Sequence, residues 1–544
     1  MRALRAGNLA QAATIVSTAL LLSRVLGLVR TTLFAATFGG PLYLHDADAF
    51  TLAFTLPDAI FNIVAGGALA SAFIPVFADY LIEKRDRRSA WHIASSALNL
   101  SMATLTILAA VIFIFADPIM RLFFPSLFVP GDPEGQTLIM LTRIMLLQPI
   151  FLGGATVAIA ILQARQHFIL PALGQVIYTA SLICGIEATV LDRKTGVFGG
   201  HLGIAGPAIG VVLGAVLQLV IQIPGLIRAR MQYSLSFDVF NPGVRQMFHL
   251  MVPRLINATF LYVSVFFNRI LLAPLPTGVT YGYVTAFTLI MLPVGVFGMA
   301  VSQAAFPTLA AMVAANQWDR LRDTILRTFK AITYLAIPSA LGMMVLAEPI
   351  CRLVLNHGYF EPKTLQYFWQ PLVFFAVGLL GLSLVEILTR SFYALHDSRT
   401  PVEVSILQFL FVIALSVILL SPLGANGLAL ATSLGSLGEA VVLLLLLSPR
   451  IGGIQMRSLG LYIFNVLLAS VVMALAARFT YTLMEVLLPR VDKASWAETF
   501  REVLRVVPSI GVALGVYFFL SRFLGIDDVI SLDRIAKRLL GRRQ

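Results

Sequence analysis

The sequence predicts an all-α polytopic membrane protein of about fourteen transmembrane helices: two six-helix bundles related as parallel repeats, plus two C-terminal helices, around a central cavity. Three observations carry this expectation. Hydrophobic residues make up 58% of the 544 and charged residues only 12%, with a mean hydropathy of +0.89, whereas soluble domains carry about 25% charged residues. The apolar residues come as repeated runs of membrane-spanning length, which excludes a soluble fold and a disordered chain alike. Finally, motifs of the first half return in the second half in the same order.

The spans follow from runs of about 20 apolar residues, longer where a helix tilts. Asn8–Phe38 comes after Arg2 and Arg5, and it is too long for a cleavable signal and lacks a small-residue cleavage site. Ala49–Leu81 and Trp91–Phe115 flank the cationic turn Lys84–Arg88, and Gln136–Gln163 and Phe168–Leu191 meet just before Pro171. His201–Ile227 completes the first six. Val244–Leu272, Tyr281–Ala314, Thr328–Ala347, Leu365–Ala394, Pro401–Ser421 and Gly427–Ser448 form the second set, and Ser458–Leu487 and Leu504–Phe523 remain. The expected organisation is therefore 1–230, 231–450, 451–526 for the extra pair, and a basic tail over 527–544. The connections are too short for a soluble catalytic domain.

The net charge of +12 resides in short loops and the tail, which is topology control and not a nucleic-acid footprint. Lys84, Arg85, Arg87 and Arg88, then Arg228 and Arg230, then Arg320, Arg322, Arg327 and Lys330 all fall on one side if the N-terminus is inside. Both termini are thus expected to be cytoplasmic, with Ser531–Gln544 a short basic helix suited to anionic headgroups.

The repeat is legible residue by residue. Ala53-Phe54-Thr55-Leu56 with Pro57 and Phe73-Ile74-Pro75 returns as Ala286-Phe287-Thr288-Leu289 with Pro293 and Phe306-Pro307. Ala164 with Pro171 returns as Ala394 with Pro401, and Leu202–Gly206 as Leu423–Gly427. An even number of helices per copy makes the copies parallel, and two such bundles suit alternating access.

A charge at bilayer depth costs at least about 2.5–3.5 kcal/mol, so each is a candidate for function. Arg24, with Ser23 beside it, lies roughly 24 Å into a helix starting at Asn8. Arg30 is six residues further on and points in a divergent direction. Asp58 falls near mid-depth of the second helix, placed to pair with an arginine. Arg254 enters the seventh helix, while Glu386 and Arg390, four apart on the tenth, suit an intrahelical ion pair or a gating charge. Glu439 and Arg478 are further buried candidates, and Arg143 and Arg254 can also snorkel. A cationic cavity suits an anionic substrate, and a guanidinium fork suits phosphate. There is no Walker loop, nucleophile elbow or HExxH, and Cys184 and Cys351 give no metal or disulfide framework. His357 and His396 are expected to be solvated loop residues. No enzyme, cofactor or metal is expected, so drive would come from a coupling cation, the membrane potential or substrate flux. Glu403, Thr432 and Ser433 are the residues that could host such a cation.

Several segments carry a family likeness. Ser23-Arg24-Val25-Leu26-Gly27, Asp48-Ala49-Phe50, Gly67-Ala68 and Ser71–Val76 resemble the first two helices of the MurJ (MviN) family, lipid II flippases of the MATE-like exporter superfamily. Pro293–Gly298 with Ser302 and Phe306-Pro307-Thr308 is similar to its eighth helix, and Arg390–Pro401 to its most recognisable turn. The resemblance implies a multi-pass protein of the bacterial inner membrane that moves an undecaprenyl-linked peptidoglycan precursor to the outer leaflet. It puts the family's cavity arginines on Arg24 and Arg30 and its acidic residue on Asp48, and makes the extra helices a groove for the lipid tail; Ser23, next to Arg24, and Arg254 of the seventh helix join them as candidate substrate-binding residues from the sequence itself. The partners it implies are a lipid-linked anionic glycan and membrane lipids. Where the family carries basic residues this chain has Thr55, Phe61, Asn62 and Thr288; Gly66 replaces a glutamate and Thr31 an acid. Arg254, Arg143 and Arg269 are the available compensating cations. The thinner arginine set keeps open a flippase for another polyprenyl-linked oligosaccharide. A MATE-type cation-coupled exporter would want an acidic cavity and no extra helix pair, a glycosyltransferase would need a large loop with carboxylates, and a silent scaffold would tolerate loss of Arg24.

Overall fold

The computed structural model describes residues 22–129, 133–165, 167–358, 360, 362–489 and 496–526. Regular structure among them is helical throughout. The long helices are α1 (22–38), α2 (Leu44–Leu81), α3 (Arg87–Ile114), α4 (Glu134–Ala164), α5 (Ile169–Thr195), α6 (Ala205–Arg228) and α7 (Pro242–Leu272). There follow α8 (Val279–Ala314), α9 (Trp318–Val345), α10 (Lys363–Val377 with Leu379–Ala394), α11 (Arg399–Leu423), α12 (Ala425–Ile451), α13 (Met456–Leu487) and α14 (Trp496–Phe523). Among the described residues eleven helices are long and apolar enough to cross a membrane, or up to twelve with the bent pair of α10 counted as one. The expected count of fourteen is therefore not confirmed among the described residues. The helix expected from Asn8 is described only from residue 22, and α7 is apolar enough only over Tyr262–Leu272. The basic tail beyond 526 lies outside the described residues.

The chain divides into two compact units, Met1–Tyr281 and Gly282–Gln544. In the first, α2, α3, α4 and α7 close on a core in which Phe73 stacks on Phe77 at 5.2 Å and Phe77 meets Trp91 at 5.4 Å. In the second, α9, α13 and α14 share a core of Tyr334, Val466, Met473, Tyr481 and Tyr517. Tyr517 donates to the Tyr334 carbonyl at 2.7 Å, so the two extra helices are fastened to α9 and are not independent.

Breaks within spans follow proline and glycine. Pro293 has no N–H to give, and the helix after it relaxes into a π-helical stretch, Val294–Ala300. At Gly378 the two halves of α10 bend by 48°. There a Cβ would come within 2.6 Å of the Ser433 backbone, so glycine is what lets α10 and α12 touch.

The structure extends the repeat beyond what the sequence reading found. Ala116–Phe123 and Ala347–Leu355 are short amphipathic helices placed after α3 and α9. Each carries an i,i+4 ion pair, Arg121 to Asp117 at 3.0 Å and Arg352 to Glu348 at 2.7 Å. Each half also pins its fourth-to-fifth helix turn to the end of its sixth helix with an arginine: Arg165 donates to the Ala229 carbonyl, and Arg450 to Asp397.

Asp397 also accepts from the Arg399 N–H at 2.9 Å, the Thr400 N–H at 3.0 Å and the Thr400 hydroxyl at 2.6 Å. Burial pushes its carboxyl up, but the donors of Thr400, Arg450 and Arg399 outweigh burial and hold it well below the usual carboxylate range. A depressed folded pKa stabilises above the unfolded value of about 3.9 and ceases to do so as pH falls towards the folded one. Asp397→Asn is therefore expected to lower thermal stability at pH 7, with the gap to the parent chain closing below about pH 4. A gap that stays constant across that range would sink this account.

Two expectations are corrected here. Arg478, expected to be buried, is exposed on α13. His357, expected to be solvated, is half-buried, and its Nε2 lies 3.2 Å from the Thr499 hydroxyl. The rotation of α13 decides the first, and the packing of the loop after Leu355 against α14 decides the second; hydropathy sets neither.

Candidate functional site

In the first unit, polar side chains from α1, α2, α5 and α7 converge at membrane depth. Phe34 fixes α1, its ring lying 4.9 Å from Phe38, 5.0 Å from Phe50 and 5.3 Å from Tyr281. One turn earlier, the Arg30 guanidinium sits within electrostatic range of the Tyr178 and Tyr281 hydroxyls. Tyr178 in turn accepts from Gln148 Nε2 at 3.1 Å.

Two acids on α2 face this group. Asp58 accepts from Asn62 Nδ2 at 2.9 Å, and it lies within electrostatic range of Arg269 and Tyr262 on α7 and of Tyr178 on α5. Asp48 is 5% exposed, and both its oxygens take backbone donors, Oδ2 from the Gly278 N–H at 2.5 Å and Oδ1 from the Tyr281 N–H at 2.7 Å. Gly278 has φ +92°, in the left-handed region that favours glycine, which turns its N–H towards the carboxylate. Asp48 thereby satisfies donors at the start of α8 that have no helical partner. Arg269 lies within electrostatic range of Asp48 as well.

The constellation is thus two guanidinium groups (Arg30, Arg269), two carboxylates (Asp48, Asp58) and three phenols (Tyr178, Tyr262, Tyr281). The acids balance the cations, so the group tolerates burial without a ligand, and an entering phosphate has guanidinium forks and phenol hydroxyls to take it. Arg24 and Ser23 lie further towards the start of α1 and are half-buried. Arg254 is on α7, and its side chain is outside those described. Arg143 donates to the Phe113 carbonyl at 3.3 Å.

In the second unit, Arg390 Nη1 donates to Glu386 Oε2 at 2.7 Å, the intrahelical pair expected from their spacing. Glu439 accepts from Ser405 at 2.6 Å. Glu403 pairs with Arg399 at 2.6 Å, and Ser433 donates to the Phe374 carbonyl at 2.7 Å. No group of three or more His, Cys, Asp or Glu able to hold a metal occurs among the described residues.

The sequence reading named Arg269 only as one possible compensating cation and did not single out Tyr178, Tyr262 or Gln148. Their signal was present, since each is polar within an apolar run, but a lone tyrosine in a membrane helix is common and only convergence distinguishes these.

A family model described as Lipid II flippase MurJ matches residues 34–498. The chain belongs to the MurJ family. A MurJ relative from Burkholderia cenocepacia, called Lipid II flippase MurJ, is 31% identical over 483 residues, covering 86% of this chain and 89% of the relative. Another from Bdellovibrio bacteriovorus, called Probable lipid II flippase MurJ, is 26% identical over 527 residues, 96% of each. A solved structure of lipid II flippase MurJ in an inward closed conformation superposes with a TM-score of 0.75 at 22% identity, covering 94% of this chain and 99% of that one. An inward-facing multidrug MATE family transporter gives 0.66 at 16% identity, over 79% and 94%. At those identities the structural likenesses establish the fold alone. With the apolar helices, membership of MurJ makes this a multi-pass bacterial inner-membrane protein.

Proposed function

We propose that this chain flips lipid II, the undecaprenyl-linked peptidoglycan precursor, from the cytoplasmic to the outer leaflet by alternating access. The observation that carries this is the convergence of Arg30, Arg269, Tyr178, Tyr262 and Asp58 at membrane depth in a chain of the MurJ family. Guanidinium groups at that depth suit the diphosphate of a lipid-linked glycan. In this reading Arg24, Ser23 and Arg254 extend the anion path towards the cytoplasmic side, and Asp48 holds the start of α8 in place. Residues 1–230 and 231–450 are the two repeated bundles, and 451–526 shelters the lipid tail. Both termini are cytoplasmic, no chemical step is catalysed, and the membrane potential or a coupling cation supplies the drive.

The test is complementation of cells depleted of their lipid II flippase, with the parent chain and Arg24→Ala at matched expression. Growth with the parent and none with Arg24→Ala is the expected result. Growth with both removes Arg24 from the phosphate path. Failure of a well-expressed parent, in a host shown to accept a close relative, removes lipid II as substrate. A second reading, a different polyprenyl-linked glycan, is favoured by Phe61 and Thr288 standing where the family carries basic residues, and that last outcome would select it.

A further inference from the structure

Between α6 and α7 the chain runs extended along α3. We propose that this strap, residues 231–241, together with the first turns of α7, forms a binding site for an anionic phospholipid whose phosphate is held by Arg245.

The strap alternates with the period of an extended chain, but with the sense of a soluble strand reversed. Ser234, Ser236 and Asp238 turn inward to a polar stripe on α3. Asn99 Nδ2 donates to the carbonyls of Ser234 at 3.1 Å and Ser236 at 3.0 Å, Ser96 bonds the Ser236 hydroxyl at 3.0 Å, and His92 Nε2 lies 3.2 Å from Asp238. Leu235, Phe237 and Val239 are exposed on the other edge, Leu235 at 77%, while Tyr233, exposed over its ring, reaches back to donate its hydroxyl to Asn99 Oδ1 at 2.9 Å.

Depth says what covers that edge. Asn99 and His92 lie twelve and five residues beyond Arg87, about 18 and 8 Å along the helix. Arg87, Arg88 and Lys84 mark the interface, so the strap's apolar edge stands at the level of acyl chains, with its inward carbonyls satisfied by α3 as non-helical backbone there requires. From Ser236 to Asp238 the strap climbs from Asn99 to His92 and ends at headgroup level on Phe240, which is 89% exposed. Phe240, Phe248, Arg245 and His249 line an open cleft of about 580 Å³.

Charge selects the headgroup. Asp238 is the single acid of residues 231–250, and His92 takes it. Arg245 is exposed in the cleft, and Arg230 precedes the strap. A basic cleft continuous with an apolar edge at this level fits a phosphodiester with its acyl chains laid along Leu235 and Phe237.

The test uses the full chain in nanodiscs with tryptophan introduced as Phe240→Trp, an exposed position, and quenching read as the excess over the parent. Brominated phosphatidylglycerol, as a minority component in phosphatidylcholine, is expected to quench well beyond its bulk fraction. Arg245→Gln added to Phe240→Trp is expected to reduce that enrichment about fivefold, the effect of one cation near an anionic surface. Quenching that only tracks the bulk fraction, or enrichment unchanged by Arg245→Gln, overturns the headgroup site. No quenching by brominated phosphatidylglycerol, nor by brominated phosphatidylcholine in a second set of discs, means that water or another protein covers the edge, and the proposal fails entirely.

Discussion

Replacing Arg505 with leucine is expected to destabilise the second unit by about 3–5 kcal/mol, the cost of removing one partner from a buried ion pair. Arg505 is 0% exposed. Its Nη1 donates to Glu498 at 2.8 Å and to Glu502 at 2.5 Å, and its Nε donates to the Leu488 carbonyl at 2.9 Å, tying the end of α13 to α14. Tyr481 on α13 donates to the other oxygen of Glu502 at 2.7 Å. Removing the guanidinium leaves two carboxylates side by side without a cation. Replacing all three with apolar or amide residues of like size leaves nothing uncompensated and is expected to cost far less. The measurement is thermal unfolding of the purified chain in detergent, parent against single and triple variants. If Arg505→Leu is as stable as the parent, or the triple variant is the worse of the two, the network is not what joins these helices.

Asp48→Ala is expected to cost about 3 kcal/mol or more, because two charge-assisted bonds are worth about 1.5–3 kcal/mol each and both backbone donors would be left buried. The same unfolding measurement reads it, with Asp48→Asn as the informative companion. The amide keeps the shape and one acceptor, so an intermediate loss is expected, with complementation retained at permissive temperature. If Asp48→Asn folds as well as the parent but abolishes complementation, the carboxylate touches substrate and is more than a clamp on α8.

How far these two sites were legible differs for a physical reason. Asp48 is marked only by the family likeness, because its donors lie 230 and 233 residues away and no spacing announces them. Of the Glu498–Glu502–Arg505 group, only Arg505 falls within the expected last span, Leu504–Phe523. Four charges in eight residues, Glu498, Arg501, Glu502 and Arg505, interrupt the apolar run and put the expected start at Leu504, whereas the helix begins at Trp496 because Arg505 pairs with both Glu498 and Glu502. Glu386 with Arg390 was readable in advance, since an i,i+4 pair needs only its own helix.

The membrane class, the order of the helices, much of the repeat and the family likeness are legible along the chain, because apolar length, loop charge and local motifs are properties of contiguous residues. Which groups meet follows from packing across the chain: Asp58 lies near Arg269, Arg505 sits between two glutamates, and a strap turns its apolar edge outward. Those pairings depend on how far each helix is rotated and how deep it sits. Neighbouring helices fix both by packing, and a cost of a few kcal/mol per unpaired charge then favours arrangements that pair buried charges, as Arg505 is paired with Glu498 and Glu502.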